Sequence, residues 1–312
     1  MITSTWNDYR LSRLMLGTVQ FGMPYGVANR TGQPVYRDVL AIVAAAVEGG
    51  VNCFDTAAAY GTSEEVLGRA LHELGVADQV VIVTKIRPLS PAESSDSTLA
   101  SRAIEQSVAE SRRRLRLDCL PVVLFHRESD AVHCHMLDEL QAKNWVRHIG
   151  VSCDNRPGPA EEFVASGNMS ALQLPGNVLD QRHQRSGIFR EAASHGVAVF
   201  LRSVYLQGLL VMPEHDIPPE LRDVIPVRRK LKLLADVAGL NLAELALRYM
   251  LSQDGITCVI TGVETVAQVR DNLAIFDRGP LPTDLLIAID AVSIELPETT
   301  ITPSLWPPNK TG

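Results

Sequence analysis

The chain has no apolar run near the ~20 residues a membrane-spanning helix needs, and its first twenty residues lack the basic-then-apolar order of a signal peptide. Clustered positive charge is also missing. Lys and Arg number 29 against 36 Asp and Glu, a formal net charge of −7. Nucleic acid is therefore not an expected partner, because phosphate-binding surfaces concentrate Lys and Arg. The one basic run, Arg112-Arg113-Arg114, falls on a predicted helix and reads as a solvated face. Five scattered cysteines (Cys53, Cys119, Cys134, Cys153 and Cys258) show no CxxC spacing and read as buried thiols of a reducing cytoplasm. No metal site is expected. In His133-Cys134-His135 the alternating side chains at a helix start diverge, and no fourth ligand is evident. No GxGxxG follows a strand, which counts against a Rossmann domain.

What is present is an ordinary globular composition, 46% hydrophobic and 21% charged over 312 residues. A chain of this size buries a substantial core without disulfides. Eight apolar, β-branched runs alternate with amphipathic segments: Leu14 to Thr18, Asn52 to Asp55, Val80 to Lys85, Cys119 to Phe125, Val146 to Ser152, Ala171 to Leu174, Ala198 to Arg202 and Thr257 to Thr261. Ser63 is the expected N-cap of the helix through Leu67 and Leu71. Gln20 to Pro34, Leu89 to Ser97 and Met212 to Pro226 read as loops, and Leu296 to Gly312 as a Pro-rich tail. Strict alternation demands parallel strands with right-handed crossovers. With no composition break, the expectation over 1–312 is a single (β/α)8 TIM barrel with its active site at the C-terminal face.

That rule converts strand ends into a site. Asp55, Lys85 and His126 close three successive strands, and Tyr60 follows Asp55 in a small-residue loop. Singly, each has a bland role: a turn aspartate, a rim lysine, a core histidine, a packing tyrosine. Joint placement at one barrel mouth points to acid–base chemistry.

The sequence resembles the aldo-keto reductase family. The match includes Asp55-Thr56-Ala57-x-x-Tyr60-Gly61-x-Ser63-Glu64-x-x-Leu67-Gly68, Val83-Thr84-Lys85 and Leu124-Phe125-His126. It continues through Arg147-His148-Ile149-Gly150-Val151-Ser152, Leu172-Gln173-Leu174-Pro175, Arg202-Ser203 with Gln207-Gly208-Leu209-Leu210, and Thr261-Gly262-Val263 with Gln268-Val269-x-Asp271-Asn272. The pieces run in order from about Leu14 to Leu273, and the ordered set is more specific than any one of them.

The resemblance implies a nicotinamide-dependent oxidoreductase that interconverts a carbonyl and an alcohol. Tyr60 would be the general acid or base, Lys85 would favour its phenolate, Asp55 would hold Lys85, and His126 would orient the carbonyl. A free phenol titrates near ~10, which is why such a neighbour is needed. NAD(H) or NADP(H) would be held by Gly17, Thr18, Asp55, Ser152, Gln173, Arg202, Ser203, Gln207, Gly208, Gly262, Glu264, Gln268, Asp271 and Asn272. Phe21, Tyr25 and Trp306 are candidate aromatic walls for a small carbonyl or sugar-type substrate, with Trp306 alternatively at a subunit contact.

Three departures from the family pattern bear on cofactor binding. Cys153 stands where the family usually has Asn, and Arg202 where many members stack a Tyr on the nicotinamide. Glu264 and Gln268 occupy positions where NADP-preferring members place cations, so NAD is expected to serve at least as well as NADP. Arg270 is the nearby cation that would restore phosphate binding. Two competing readings are a Schiff-base lyase or aldolase using Lys85, and a cofactor-binding sensor or regulatory subunit with little turnover.

Overall fold

The computed structural model describes residues 1–292 and 294–306. The last six positions of the expected tail lie outside the described residues. A two-stranded antiparallel hairpin, β1 (Thr3–Trp6) and β2 (Tyr9–Ser12), opens the chain. Eight parallel strands follow: β3 (Leu14–Gly17), β4 (Cys53–Asp55), β5 (Val81–Ile86), β6 (Leu120–Phe125), β7 (Val146–Ser152), β8 (Ala171–Pro175), β9 (Ala198–Arg202) and β10 (Cys258–Gly262). They pair in sequence order, and β10 closes on β3. Each strand falls on one of the expected apolar runs. The expected barrel is the observed one.

Two apolar layers hold it. Inside the barrel, Met15, Cys53, Val83, Val122, Leu124, Phe200 and Cys258 pack on Trp6 and Leu11 of the hairpin. Outside it, the alternate residues of the same strands, such as Leu14, Phe54, Ile82 and Val123, meet the helices. Strands covered on both faces are uniformly apolar, as in these runs. Gly150 on β7 makes room for a neighbour: a Cβ there would lie 2.0 Å from the Ala171 carbonyl oxygen of β8.

The hairpin was not expected. It stoppers the end of the barrel where the strands begin: Trp6 stacks against Tyr9, packs at a tilt on His148 and meets Phe200 edge-on, and its Nε1 donates to the Gly196 carbonyl at 3.1 Å. Two expected loops carry short helical turns. Pro91–Ser95 is closed by a capping box in which Ser90 and Glu93 exchange hydrogen bonds, and Met212 to Pro226 contains 3-10 turns at Glu214–Asp216 and Pro219–Val224.

Ser63 is not the N-cap. Thr62 holds that position, and Ser63 is fully buried, its hydroxyl donating to the Thr18 carbonyl at 2.7 Å and meeting the Thr56 hydroxyl at 3.0 Å. A partner on β3's loop outcompetes the helix's own free N–H groups. The basic run is also engaged: Arg114 pairs with Glu64 and Glu110, and Arg112 lies over the Trp145 ring. No described helix is long and apolar enough to cross a membrane.

Candidate active site

Register places the chemistry. Asp55 ends β4 opposite Gly17 of β3 and Val83 of β5, and Lys85, two residues further along β5, projects to the same face of the sheet as Val83. Both side chains are buried, and Lys85 Nζ donates to Asp55 Oδ1 at 2.7 Å and to the Thr56 carbonyl at 2.8 Å. Burial alone would pull the ammonium's pKa down; the Asp55 and Tyr60 side chains outweigh it, and the net direction is up. Gln173, from the middle of β8, also donates to Asp55 Oδ1 at 2.7 Å, tying a third strand into the pair.

Tyr60 sits over this pair, its ring centroid 4.9 Å from Lys85 Nζ and 5.7 Å, edge-on, from that of His126. The loop bearing it is fixed by bare backbone. A Cβ on Gly22 would fall 1.8 Å from the Tyr60 carbonyl oxygen, and one on Gly61, whose φ is +56°, would fall 2.3 Å from the Gly22 oxygen. His126, at the end of β6, is held neutral. Burial first, then the cations Lys85, Arg202 and Arg127, push its pKa down to about 3. Its Nδ1 is buried with no protein partner among the described residues, the kind of orphan that a bound polar group satisfies.

These residues line one end of a cleft of about 910 Å³, at the upper end of the ~300–1,000 Å³ usual for ligand pockets. Its walls include Gly17, Thr18, Asp55, Tyr60, His126, Ser152, Gln173, Arg202, Ser203, Gln207, Gly208, Gly262, Glu264, Gln268, Asp271 and Asn272. Lys85 does not line it; it lies behind Asp55 and Tyr60. Tyr25 does line it and is 40% exposed.

Two expected aromatic walls are absent from the cleft. Phe21 is fully buried in the outer core, turned inward by the one-turn helix Val19–Gly22. Trp306 packs against the same core and donates to the Thr300 carbonyl, while its neighbours Pro303 and Ser304 line the cleft instead.

The two departures at Cys153 and Arg202 meet. Arg202 Nη2 donates to the Cys153 carbonyl at 2.8 Å and Nη1 to Ser203 Oγ at 3.3 Å. Cys153 itself is buried, and Asp154 and Asn155 line the cleft in its stead. At the far end Gln268 is already committed: its Oε1 accepts from the Glu264 and Thr265 amides in a capping box. Asn272 is held between Thr261 and Tyr205. Glu264 keeps its carboxylate on the wall, its pKa raised by burial. Arg270 is exposed and does not line the cleft.

Residues missed by sequence reasoning include Gln20 and the pair Arg278–Glu244. Gln20 is 8% exposed, lines the cleft against Gly262, and has its Oε1 buried without a partner among the described residues. Arg278 and Arg202 are the only Lys or Arg among the described lining residues, and Arg278 Nη1 is bonded to Glu244 at 2.8 and 3.0 Å. His133 faces the Ser94 carbonyl, and among the described residues no group of three His, Cys, Asp or Glu could hold a metal. All five cysteines are free.

His126 Nδ1 and Gln20 Oε1, both buried without a partner among the described residues, are the wall groups that a bound polar cofactor would satisfy. Gly17, Gly208 and Gly262 on the same wall are required by packing: a Cβ would lie 3.0 Å from Ile260 Cγ2 at Gly17, 2.3 Å from Ala28 Cβ at Gly208, and 2.6 Å from Gln20 Nε2 at Gly262.

Fold and cluster together define a (β/α)8-barrel protein with a candidate acid–base site at the mouth where the strands end. The chain belongs to the aldo/keto reductase family, whose profile matches residues 13–294. It is an oxidoreductase of carbonyl compounds. A probable voltage-gated potassium channel subunit beta of Arabidopsis thaliana is 26% identical, over 88% of this chain and 92% of that protein. An NADH-specific methylglyoxal reductase of Escherichia coli is also 26% identical, over 86% and 90%. Among solved structures, an aldo-keto reductase from Bacillus halodurans in its holo form superposes with a TM-score of 0.78 at 22% identity, covering 96% of this chain and 99% of that one. At that identity the likeness is one of fold.

Proposed function

We propose that this chain reduces a small carbonyl, or oxidises the matching alcohol, with a nicotinamide cofactor and with Tyr60 as the proton donor or acceptor. The observation that carries the reading is the sealed Lys85–Asp55 pair, 2.7 Å apart and buried behind the Tyr60 ring at one end of a long, glycine-lined cleft. When bound, the cofactor supplies or accepts the hydride. Tyr60 delivers a proton to the carbonyl oxygen, and Lys85 lowers the cost of the negative charge left on the phenol. Asp55 and the Thr56 carbonyl keep Lys85 in place, and neutral His126 orients the carbonyl by hydrogen bonding. Ser152 and the Arg202–Cys153 pair are suited to the carboxamide end of the cofactor, and Gly17, Gly208, Gly262 and Asn272 to its far end.

The same geometry weighs against a Schiff-base role for Lys85. Its ammonium is buried, doubly hydrogen-bonded and held protonated, the reverse of a free amine nucleophile. The cofactor wall favours NAD(H): Glu264 repels a 2′-phosphate, and Gln268 is occupied by its own helix cap. The NADH-specific relative is in keeping with that choice. For the substrate, Asp154, Asn155 and Tyr25 offer polar contacts suited to a hydroxylated, sugar-type aldehyde or ketone.

Two measurements test the proposal. Tyr60→Phe should lower kcat by about a thousandfold, within the ~10²–10⁴ that acid–base groups contribute, while NADH binding by fluorescence titration stays near wild type. Undiminished reduction in that variant would overturn the mechanism. In the parent protein, kcat/KM with NADH should equal or exceed that with NADPH; a hundredfold NADPH preference would refute the cofactor assignment. Tight cofactor binding without oxidation by any sugar or small aldehyde would favour the regulatory-subunit reading instead.

A further inference from the structure

A polar hub just outside the cleft ties three of its walls together. Asp180, 4% exposed, lies in the loop after β8, and its Oδ2 accepts from Asn155 Nδ2 at 2.8 Å. Arg182 grips the same carboxylate with a fork, Nε to Oδ1 at 2.8 Å and Nη2 to Oδ2 at 2.9 Å. Its guanidinium then reaches the tail, Nη1 donating to Glu298 Oε1 at 3.3 Å and Nη2 to Thr302 Oγ1 at 3.1 Å. Asn177 braces the loop from the other side: its Oδ1 accepts from the Leu179 and Asp180 amides, and its Nδ2 donates to the Ser203 carbonyl at 3.2 Å. Asn155, Ser203, Pro303 and Ser304 line the cleft, whereas Asp180 and Arg182 do not.

We infer that Arg182 is a positioning residue for the carbonyl substrate. Resting on the reductase reading above, the inference is that Arg182 holds segment 298–304 and the Asn155 loop at a set spacing beside the cleft. One cation stands between two carboxylates, Asp180 and Glu298. Without it they repel, and the tail loses its link to the β8 loop. A planar guanidinium is required because four donations to three acceptor groups are made from one rigid fork. Arg182 itself bonds only Asp180, Glu298 and Thr302 and none of Gly17, Ser203, Gly262 or Asn272, so its loss separates substrate fit from cofactor binding.

The test uses the full chain with Arg182→Leu, and with the double variant Glu298→Gln/Thr302→Val, which cuts only the tail link and serves if the first does not fold. Amide exchange over 298–306 should quicken at least about tenfold, carbonyl KM should rise about tenfold, and kcat and the NADH Kd should stay within about twofold. Arg182→Lys, which keeps the charge without the fork, should recover part of the KM. Unchanged exchange over 298–306 overturns the inference, as does an NADH Kd that rises in step with KM. A parent protein that binds no nicotinamide cofactor would refute the reductase reading instead, and the exchange measurement would still decide whether Arg182 holds the tail.

Discussion

Tyr60, Lys85, Asp55 and His126 come from separate loops and strands, and burial and charged neighbours act on Lys85 and His126 in opposite directions. His126 gives the clearest consequence. Its pKa falls from an ordinary 6.5 to about 3, so the folded protein binds fewer protons than the unfolded chain between those values. Stability therefore rises with pH across that window, and this residue's contribution is lost as pH drops from 6.5 toward 3. Replacing His126 by Asn should flatten part of that acid limb in denaturant titrations. The pH–rate profile near 6.5 should carry no histidine limb in the parent protein, because His126 stays neutral there; a limb that vanishes in the Asn variant would refute the assignment. The four residues were legible in the sequence because each polar group follows directly on an apolar run or a tight loop. Gln173's bond to Asp55 was not, since nothing local distinguishes a glutamine aimed at a partner 118 positions away.

Among elements, the short helix Val19–Gly22 and the Tyr60 loop form one unit through two glycines in backbone contact. Gly22→Ala would drive a methyl into the Tyr60 carbonyl, which must shift the loop. Overpacking of this kind typically costs about 1–3 kcal/mol. The expected outcome is a lower midpoint in urea together with a fall in kcat of about tenfold or more, because small displacements of a catalytic group are amplified in rate. A variant that loses stability but keeps its kcat would show that the loop position is set elsewhere. The sequence marked this region as a shaped, Gly-rich loop but misjudged two of its side chains. Phe21 was read as a cleft wall and Ser63 as a cap, and both turn inward because tertiary partners take them: the core for Phe21, and Thr18 and Thr56 for Ser63.

Across the whole molecule the barrel separates stability from chemistry. Trp6 closes the end where strands begin, opposite the mouth that holds Tyr60. Trp6→Ala should therefore destabilise by about 3–5 kcal/mol, as for large aromatic truncations, while the kcat of the fraction that remains folded is unchanged. Thermal unfolding and steady-state kinetics on the same preparation check both halves; a parallel loss of kcat would show that the hairpin communicates with the site. The hairpin was missed although its signal was present: Asn7, with φ of 47°, turns two four-residue runs that carry Thr, Trp and Tyr. Runs that short are easily passed over beside eight longer ones.

Alternation of apolar runs with amphipathic segments by itself determined the closed barrel, because parallel strands covered on both faces must be continuous in hydrophobicity and joined by helices. The strand-end residues followed from the same rule, since every strand of such a barrel delivers its last residue to one mouth. Only the tertiary structure decided which polar groups remain free there. Gln268 is consumed by its own helix cap, Arg278 shares Glu244 with Arg248, and Arg202 is anchored on the Cys153 carbonyl, whereas Gln20 Oε1 faces the cleft with no partner among the described residues. Those pairings form between groups distant in sequence, or compete with local ones, and hydrogen-bond geometry exists only once the chain has folded. The tail's attachment through Arg182, 116 residues from Glu298, is of that kind.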